Sequence, residues 1–148
     1  MNIVIGSDHA GFQLKQELAN WLREKGHQVE DVGSHDPEPV DFPDIAHAVC
    51  SKVRVDAQCR GILVCGTGVG AVIAANKING IRAAVCHDVH SAHQAVEHDD
   101  VNVMCIGAQI VGPWLARDLI EAFLQAQFVA EEDFVRRVEK LTRLEQQN

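Results

Sequence analysis

Long apolar runs, an excess of positive charge and closely paired cysteines are all missing from this 148-residue sequence. No stretch approaches the roughly 18 consecutive apolar residues typical of a transmembrane helix, and the first residues, MNIVIGSDHAG, lack the features of a signal peptide. A cytoplasmic protein is therefore expected. The formal net charge of -8 disfavours binding to nucleic acid or to an anionic membrane, because like charges repel. The expected partners are small molecules or other proteins.

Cysteine spacing argues against two further classes of protein. The five cysteines are odd in number, widely separated and never arranged as C-x-x-C, so neither a disulfide framework nor a zinc ribbon is indicated. Reduced thiols are expected at all of these positions, which are Cys50, Cys59, Cys65, Cys86 and Cys105.

Short β-rich runs alternate with segments of helical periodicity along the chain. Strands separated by helices need crossover connections, which produce a parallel sheet with helices on both faces. The sequence therefore predicts an α/β fold, doubly wound and Rossmann-like, in a single domain spanning 1–148. The five predicted strands are 2–6, 28–33, 61–65, 82–86 and 102–107.

An additional helix is predicted at about 131–146, with no strand after it. Its apolar residues form one stripe on a charged helix: Phe134, Val138, Leu141 and Leu144. Such a helix can pack on its own sheet or on a second subunit, since small α/β domains often form oligomers. Both arrangements remain open.

Side chains suited to catalysis cluster near the predicted strand ends, where open parallel sheets bind their ligands. GSDHAG (6–11) follows the first strand, CGTGVGA (65–71) the third and CHDVH (86–90) the fourth. EHDD (97–100) ends the helix after the fourth strand. We expect these four segments to converge at one edge of the sheet.

The segment CGTGVGA allows two functional interpretations. GTGVGA fits the dinucleotide-binding pattern G-x-G-x-x-G/A, and Asp88 lies at about the distance of a ribose-binding acid, which is typical of NAD(P)-dependent oxidoreductases. However, the segment follows the third strand rather than the first. Alternatively, the glycine amides stabilise a thiolate at Cys65 and a developing oxyanion on a substrate. A buried, purely apolar Cys65 is the third possibility.

Histidines offer acid–base groups. His9 in SDHAG and His98 in EHDD lie beside carboxylates that can orient an imidazole, although these residues taken alone favour exposed capping roles. The group His87, His90 and His93 suggests a metal site, but steps of three residues rotate around a helix, so no metal is expected there.

Four segments together resemble the family of ribose-5-phosphate isomerase B and galactose-6-phosphate isomerase subunits. They are GSDHAGFQLK (6–15), DFPD (41–44), CGTGVGAVIAANKINGIRAAVC (65–86) and SAHQAVEHDDVNVMCIGAQIVG (91–112). The resemblance implies aldose–ketose isomerisation through a cis-enediolate, without metal or organic cofactor. It also implies a homodimer or homotetramer in which subunits share sites and the C-terminal helix reaches across.

The resemblance implies a role for each matching residue. Cys65 would be the base that moves a proton between C2 and C1 of the sugar, and the amides of 66–70 would hold the enediolate. Asp8, Thr67 and His98 would open the sugar ring and transfer protons between oxygens. The residues implied to bind substrate are His9, Gly66, Gly68, Val69, Gly70, Asn76, Asp99, Arg136 and Arg137.

The sequence departs from the family pattern at the expected phosphate end of the site. Val96, Gln109 and Asp133 stand where family members commonly carry arginine, and Asp99 stands in place of asparagine. Because arginine forks are a main way of holding phosphate, the substrate is expected to be either ribose 5-phosphate, held by the remaining cations, or a different or unphosphorylated sugar. An NAD(P)-dependent oxidoreductase and a non-catalytic sugar-binding protein are the alternative functions.

Overall fold

The structure, a computed structural model, describes residues 1–147. The strands within this range are β1 (Asn2–Ser7), β2 (Gln28–Asp31), β3 (Cys59–Cys65), β4 (Ala83–Val85) and β5 (Val103–Gly107). The helices are α1 (Phe12–Glu24), α2 (Phe42–Val53), α3 (Val69–Ala75), α4 (Val89–Asp99), α5 (Pro113–Gln125) and α6 (Glu132–Glu145). None of these helices is both long and apolar enough to cross a membrane.

All five strands pair in parallel, in the order β2-β1-β3-β5-β4. The predicted doubly wound α/β fold is therefore confirmed. The order adds one feature that the sequence did not predict, since β5 lies between β3 and β4. Consequently β4 forms one edge of the sheet, and the end of β3 lies beside the end of β5, with Cys65 paired to Gly107.

Alternate strand residues supply two separate cores, because successive side chains point to opposite faces of a sheet. Ile5 and Met104 join one core with α1, α4 and α5, while Leu63 and Cys105 join the other with α2 and α3. Each fully buried leucine or isoleucine contributes about 1.5–3 kcal/mol to folding. These two layers of helices hold the strand ends in place.

The chain leaves β1 and β3 toward opposite faces. α1 packs in one core and α3 in the other, so the loops after these neighbouring strands diverge. In open α/β sheets such a switch point leaves a crevice at the carboxyl edge. The fold therefore places 6–11 and 65–71 on either side of one crevice.

A buried lysine fixes the loop after β2 to α1. Lys15 is only 1% exposed, and its Nζ lies 2.7 Å from the Asp31 carboxylate and 2.5 Å from the Ser34 carbonyl oxygen. Both contacts are needed, because a buried ammonium without partners is costly.

We expect Lys15→Met to lower the free energy of unfolding by about 3 kcal/mol, since it leaves the Asp31 carboxylate without its buried partner. Urea denaturation measures the change. Lys52→Met is the matched control, because its ion pair with Glu30 is about half exposed and such pairs contribute little. Equal losses in the two variants would contradict the assignment.

The predicted terminal helix forms as α6, and none of its residues is fully buried. Phe134 stacks on His98 of α4, with 4.1 Å between ring centroids. At the other end of α6, the Glu145 carboxylate accepts a hydrogen bond from the Gly80 amide. Leu141 and Leu144 remain exposed. The helix thus packs lightly on its own chain, and two of the four residues of its apolar stripe are exposed to solvent.

Candidate active site

Cys65 is the last residue of β3 and is 5% exposed. The backbone amide of Gly68 donates a hydrogen bond to its Sγ at 3.1 Å. Gly68 reaches this position with a φ of +82°, in the left-handed region that favours glycine. An amide directed at sulfur stabilises a thiolate. The turn after β3 therefore folds back over the thiol and directs the Gly68 amide at its sulfur.

The β1 loop closes one side of the crevice. Ser7 pairs with Val64, so Asp8, just after β1, and Cys65, at the end of β3, follow neighbouring paired residues. One Asp8 carboxylate oxygen accepts from the Gly11 amide at 3.1 Å, and His9 Nδ1 accepts from the Val40 amide at 3.3 Å. These hydrogen bonds fix a carboxylate and an imidazole in the loop after β1, at the same edge of the sheet as the thiol.

The turn after β5 closes the other side. The Ala108 amide donates to the Cys65 carbonyl at 2.8 Å, and the Gln109 amide donates to the Gly66 carbonyl at 3.0 Å. A Cβ built on Gly66 would lie 3.2 Å from Gln109 Oε1, so the Gln109 side chain covers this glycine. An uncharged amide therefore stands beside the thiol loop.

The remaining predicted residues of this segment lie around the first turn of α3. Thr67 is exposed, and its Oγ1 accepts from the Val69 amide at 3.3 Å. A Cβ on Gly70 would lie 2.9 Å from the Phe42 ring, at the start of α2. The sequence predicts no separate role for Phe42, and its place in DFPD (41–44) is the only signal there.

The expected convergence of four segments holds for three of them, and 97–100 is the exception. α4 begins after β4 at the carboxyl edge and runs back along the sheet, so its C-terminus lies at the amino edge, just before β5. Eleven helical residues span about 16 Å. Within one chain His98 and Asp99 therefore lie at the edge opposite Cys65.

Asn76 also lies at the amino edge. Its side-chain amide exchanges two hydrogen bonds of 2.9 Å with the backbone of Ala83, the first residue of β4. Both ends of the amide are thereby used in joining α3 to β4. In one chain this residue supports the fold and is remote from the thiol.

Arg136 and Arg137 lie on α6, and both face Asp133. The Asp133 carboxylate is 2.7 Å from the Arg136 guanidinium and 3.7 Å from that of Arg137. The Arg137 guanidinium also lies 5.9 Å from the Phe134 ring that stacks on His98. His98 and the two arginines thus form one group on α4 and α6, with a carboxylate that offsets much of the positive charge.

The other four cysteines are buried, and burial raises their pKa values so that they do not form thiolates readily. It raises the pKa of Cys50 to about 12 and that of Cys86 to about 11. Burial also raises the pKa of Cys59, and that of Cys105 rises through burial and through the neighbouring cysteines, Cys65 among them. These four thiols stay protonated near neutral pH, whereas Cys65 carries the amide contact.

The suggested metal ligands point in different directions. His87 Nε2 accepts from the Gly107 amide at 2.9 Å, Asp88 accepts from the Ser91 amide at 2.7 Å, and His93 lies 3.3 Å from the Glu97 carboxylate. Within 1–147 no group of three or more histidine, cysteine, aspartate or glutamate side chains is placed to hold a metal ion.

The dinucleotide interpretation loses its acidic partner. Asp88 follows β4, and its carboxylate accepts from the Ser91 amide at 2.7 Å, so it is engaged in capping α4. The hydrogen bond from the Ser91 amide lowers the pKa of the Asp88 carboxyl, as expected of a helix cap. The geometry therefore favours the thiol interpretation of CGTGVGA.

The comparisons with known proteins agree with this geometry. A family model described as Ribose/Galactose Isomerase matches residues 3–141. The chain is 45% identical to "Ribose-5-P isomerase B" of Listeria innocua over 128 residues, covering 86% of each chain. It is 43% identical to "D-erythrulose-4-phosphate isomerase" of Pectobacterium atrosepticum over 131 residues, covering 86% of this chain and 85% of the other.

Solved structures give the same result. Ribose-5-phosphate isomerase B of Clostridium thermocellum superposes with a TM-score of 0.95 at 43% identity, covering 99% of each chain. The Mycoplasma genitalium ribose-5-phosphate isomerase B, solved with bound ribulose-5-phosphate, gives a TM-score of 0.94 at 36% identity, covering 99% of this chain and 97% of the other. The chain therefore belongs to the ribose/galactose isomerase family.

Proposed function

We propose that this protein is a cofactor-free aldose–ketose isomerase that interconverts a sugar phosphate, by default ribose 5-phosphate, with its ketose. The observation that carries the proposal is the Gly68 amide directed at Cys65 Sγ, at the carboxyl edge that also carries the Asp8 and His9 loop. The names of the relatives support the substrate class.

The chemistry follows from the position of the thiol. The Cys65 thiolate removes the proton on C2 of the open-chain aldose, and the C–H electron pair forms the C1–C2 double bond as the carbonyl oxygen becomes an oxyanion. Backbone amides of 66–70 stabilise that oxyanion. A proton then moves from the C2 hydroxyl to the former carbonyl oxygen, and Cys65 returns its proton to C1. Asp8 and Thr67 serve the ring-opening proton transfers.

A second copy of the chain completes this site in the proposal. Cys65 lies at the carboxyl edge, whereas His98 and its neighbours on α6 lie at the amino edge of the same chain. Exposed apolar side chains lie along α3, β4 and the start of α4, and a second copy would bury them. They are Val69, Ile73, Val85 and Val89.

A screen for ketose formation tests the proposed activity. Ribose 5-phosphate, allose 6-phosphate, galactose 6-phosphate and the corresponding free sugars are incubated with the protein, and products are followed by NMR. Turnover without added metal or NAD(P) supports the proposal. Tight NAD(P) binding with no turnover would support the oxidoreductase, and sugar binding with no turnover would support the non-catalytic protein.

Asp133 sets how strongly the protein holds a phosphorylated sugar. We expect Asp133→Asn to lower KM for ribose 5-phosphate by about threefold to tenfold, because it frees the Arg136 and Arg137 guanidiniums and removes a carboxylate that repels phosphate. Initial-rate kinetics measure the change.

Two controls isolate the effect of charge. The KM for free ribose should be the same in Asp133→Asn and wild type, because this sugar carries no phosphate. Glu139→Gln removes another α6 carboxylate, which pairs weakly with Arg143 at 3.9 Å, and it should leave KM unchanged. An unchanged KM for ribose 5-phosphate in Asp133→Asn would place the phosphate elsewhere.

A further inference from the structure

His87 is a half-buried histidine at the carboxyl edge of the sheet, with no role in the chemistry described above. It follows β4 by two residues, and the ladder between β4 and β5 ends with Val85 opposite Cys105 and the Cys86 amide on the Cys105 carbonyl. Continued by two residues, that register places His87 opposite Gly107. The strand itself has ended there.

The His87 imidazole supplies the hydrogen-bond acceptor that a longer β4 would have offered to β5. Gly107 presents its amide toward β4, and His87 Nε2 accepts that hydrogen bond at 2.9 Å. An imidazole nitrogen accepts only while it carries no proton, so the neutral ring must hold its proton on Nδ1. Without this acceptor the last amide of β5 would face no strand carbonyl.

Gly107 packs directly against the loop after Cys65, at Thr67 and Gly68. A Cβ built on Gly107 would lie only 2.7 Å from the Thr67 carbonyl carbon, so the two backbones are in direct contact. A Cβ on Gly68 would lie 3.4 Å from the Gly107 nitrogen. Gly68 is the residue whose amide contacts Cys65 Sγ. A shift of Gly107 would therefore reach the sulfur through a single residue.

We propose that His87 is a positioning residue for the Cys65 loop: it fixes Gly107, and Gly107 fixes Thr67 and Gly68 against the thiol. The proposal deepens the proposed isomerase function and rests on it. His87 touches neither the sugar nor the reacting atoms in this arrangement. Its contribution is to the placement of the amide donors, and small displacements of such groups are costly in rate.

Three substitutions separate the acceptor from the bulk of the side chain. His87→Gln carries an amide oxygen at about the distance of Nε2 from the main chain, so it retains the acceptor. His87→Asn is polar but too short to reach Gly107, and His87→Leu removes the acceptor while filling the space. We expect kcat to fall by about tenfold to a hundredfold in the Asn and Leu variants, with KM within about threefold of wild type. His87→Gln should restore most of kcat.

Two further readouts do not depend on sugar turnover. The rate of Cys65 alkylation by iodoacetamide, followed by peptide mass spectrometry, should fall in the Asn and Leu variants and recover in His87→Gln. The Gly107 amide resonance should shift in the same two variants, and ¹⁵N spectra of the wild-type imidazole should show the Nδ1-protonated neutral ring. A wild-type protein that turns over no sugar would overturn the proposed function, while these readouts would still decide the role of His87.

If His87→Asn kept the wild-type kcat and the wild-type rate of Cys65 alkylation, the positioning role would be overturned. This test does not depend on whether His87→Leu folds. A His87→Gln variant as impaired as His87→Asn, with the same thermal unfolding as wild type, would also overturn it.

Discussion

Replacement of Cys65 by serine is expected to reduce kcat for ketose formation by about a thousandfold, although the two side chains have nearly the same shape. A serine hydroxyl holds its proton far too tightly to act as a base near neutral pH. The Gly68 amide can still donate to the new oxygen, so binding of the sugar and the fold should be kept. Progress curves with ribose 5-phosphate, followed by NMR, measure the loss.

The matched control lies on the same strand. Cys59 is the first residue of β3, at the amino edge, and Cys59→Ser should leave kcat within about twofold of wild type because that thiol has no part in the mechanism. Deuterium exchange into the sugar at C2 gives a second readout of proton removal. Turnover in Cys65→Ser within tenfold of wild type would require a different base.

The strands and helices were predictable because their signals are local. Residues 2–6 are β-rich and are followed by a segment of helical periodicity that ends at Gly26. The structure places β1 and α1 there. The order of strands is not local: nothing in 82–107 indicates that β5 enters between β3 and β4. That choice depends on how α3 and α4 pack on opposite faces of the sheet.

The candidate site was predictable only where its residues follow strands. Asp8 directly follows β1 and Cys65 ends the neighbouring parallel strand β3, so their place at one edge of the sheet follows from the fold. His98 ends a helix that runs back to the amino edge, and helix length, rather than strand position, decides where it lies. Contacts such as Phe42 with Gly70 and His87 with Gly107 depend on tertiary packing, for which the sequence carries no periodic signal.

The separation of Cys65 from His98 in one chain leads to the second large prediction. If a two-fold pair of chains forms each site, a Cys65 from one copy works with a His98 from the other. Cys65→Ala and His98→Ala should each be nearly inactive when prepared alone. A mixed dimer, however, contains one site built from two intact contributions and one site that lacks both groups.

Mixing the two inactive variants should therefore restore activity. Random reassociation makes about half of the dimers mixed, and one of the two sites in each is intact, so about a quarter of wild-type activity is expected. The variants are unfolded together, refolded and assayed with ribose 5-phosphate, and each variant refolded alone provides the control. A double variant carrying both substitutions, refolded with wild type, sets the dilution baseline. If each chain built its own site, no mixture of the two single variants would exceed the activity of its components, and the shared-site arrangement would be overturned.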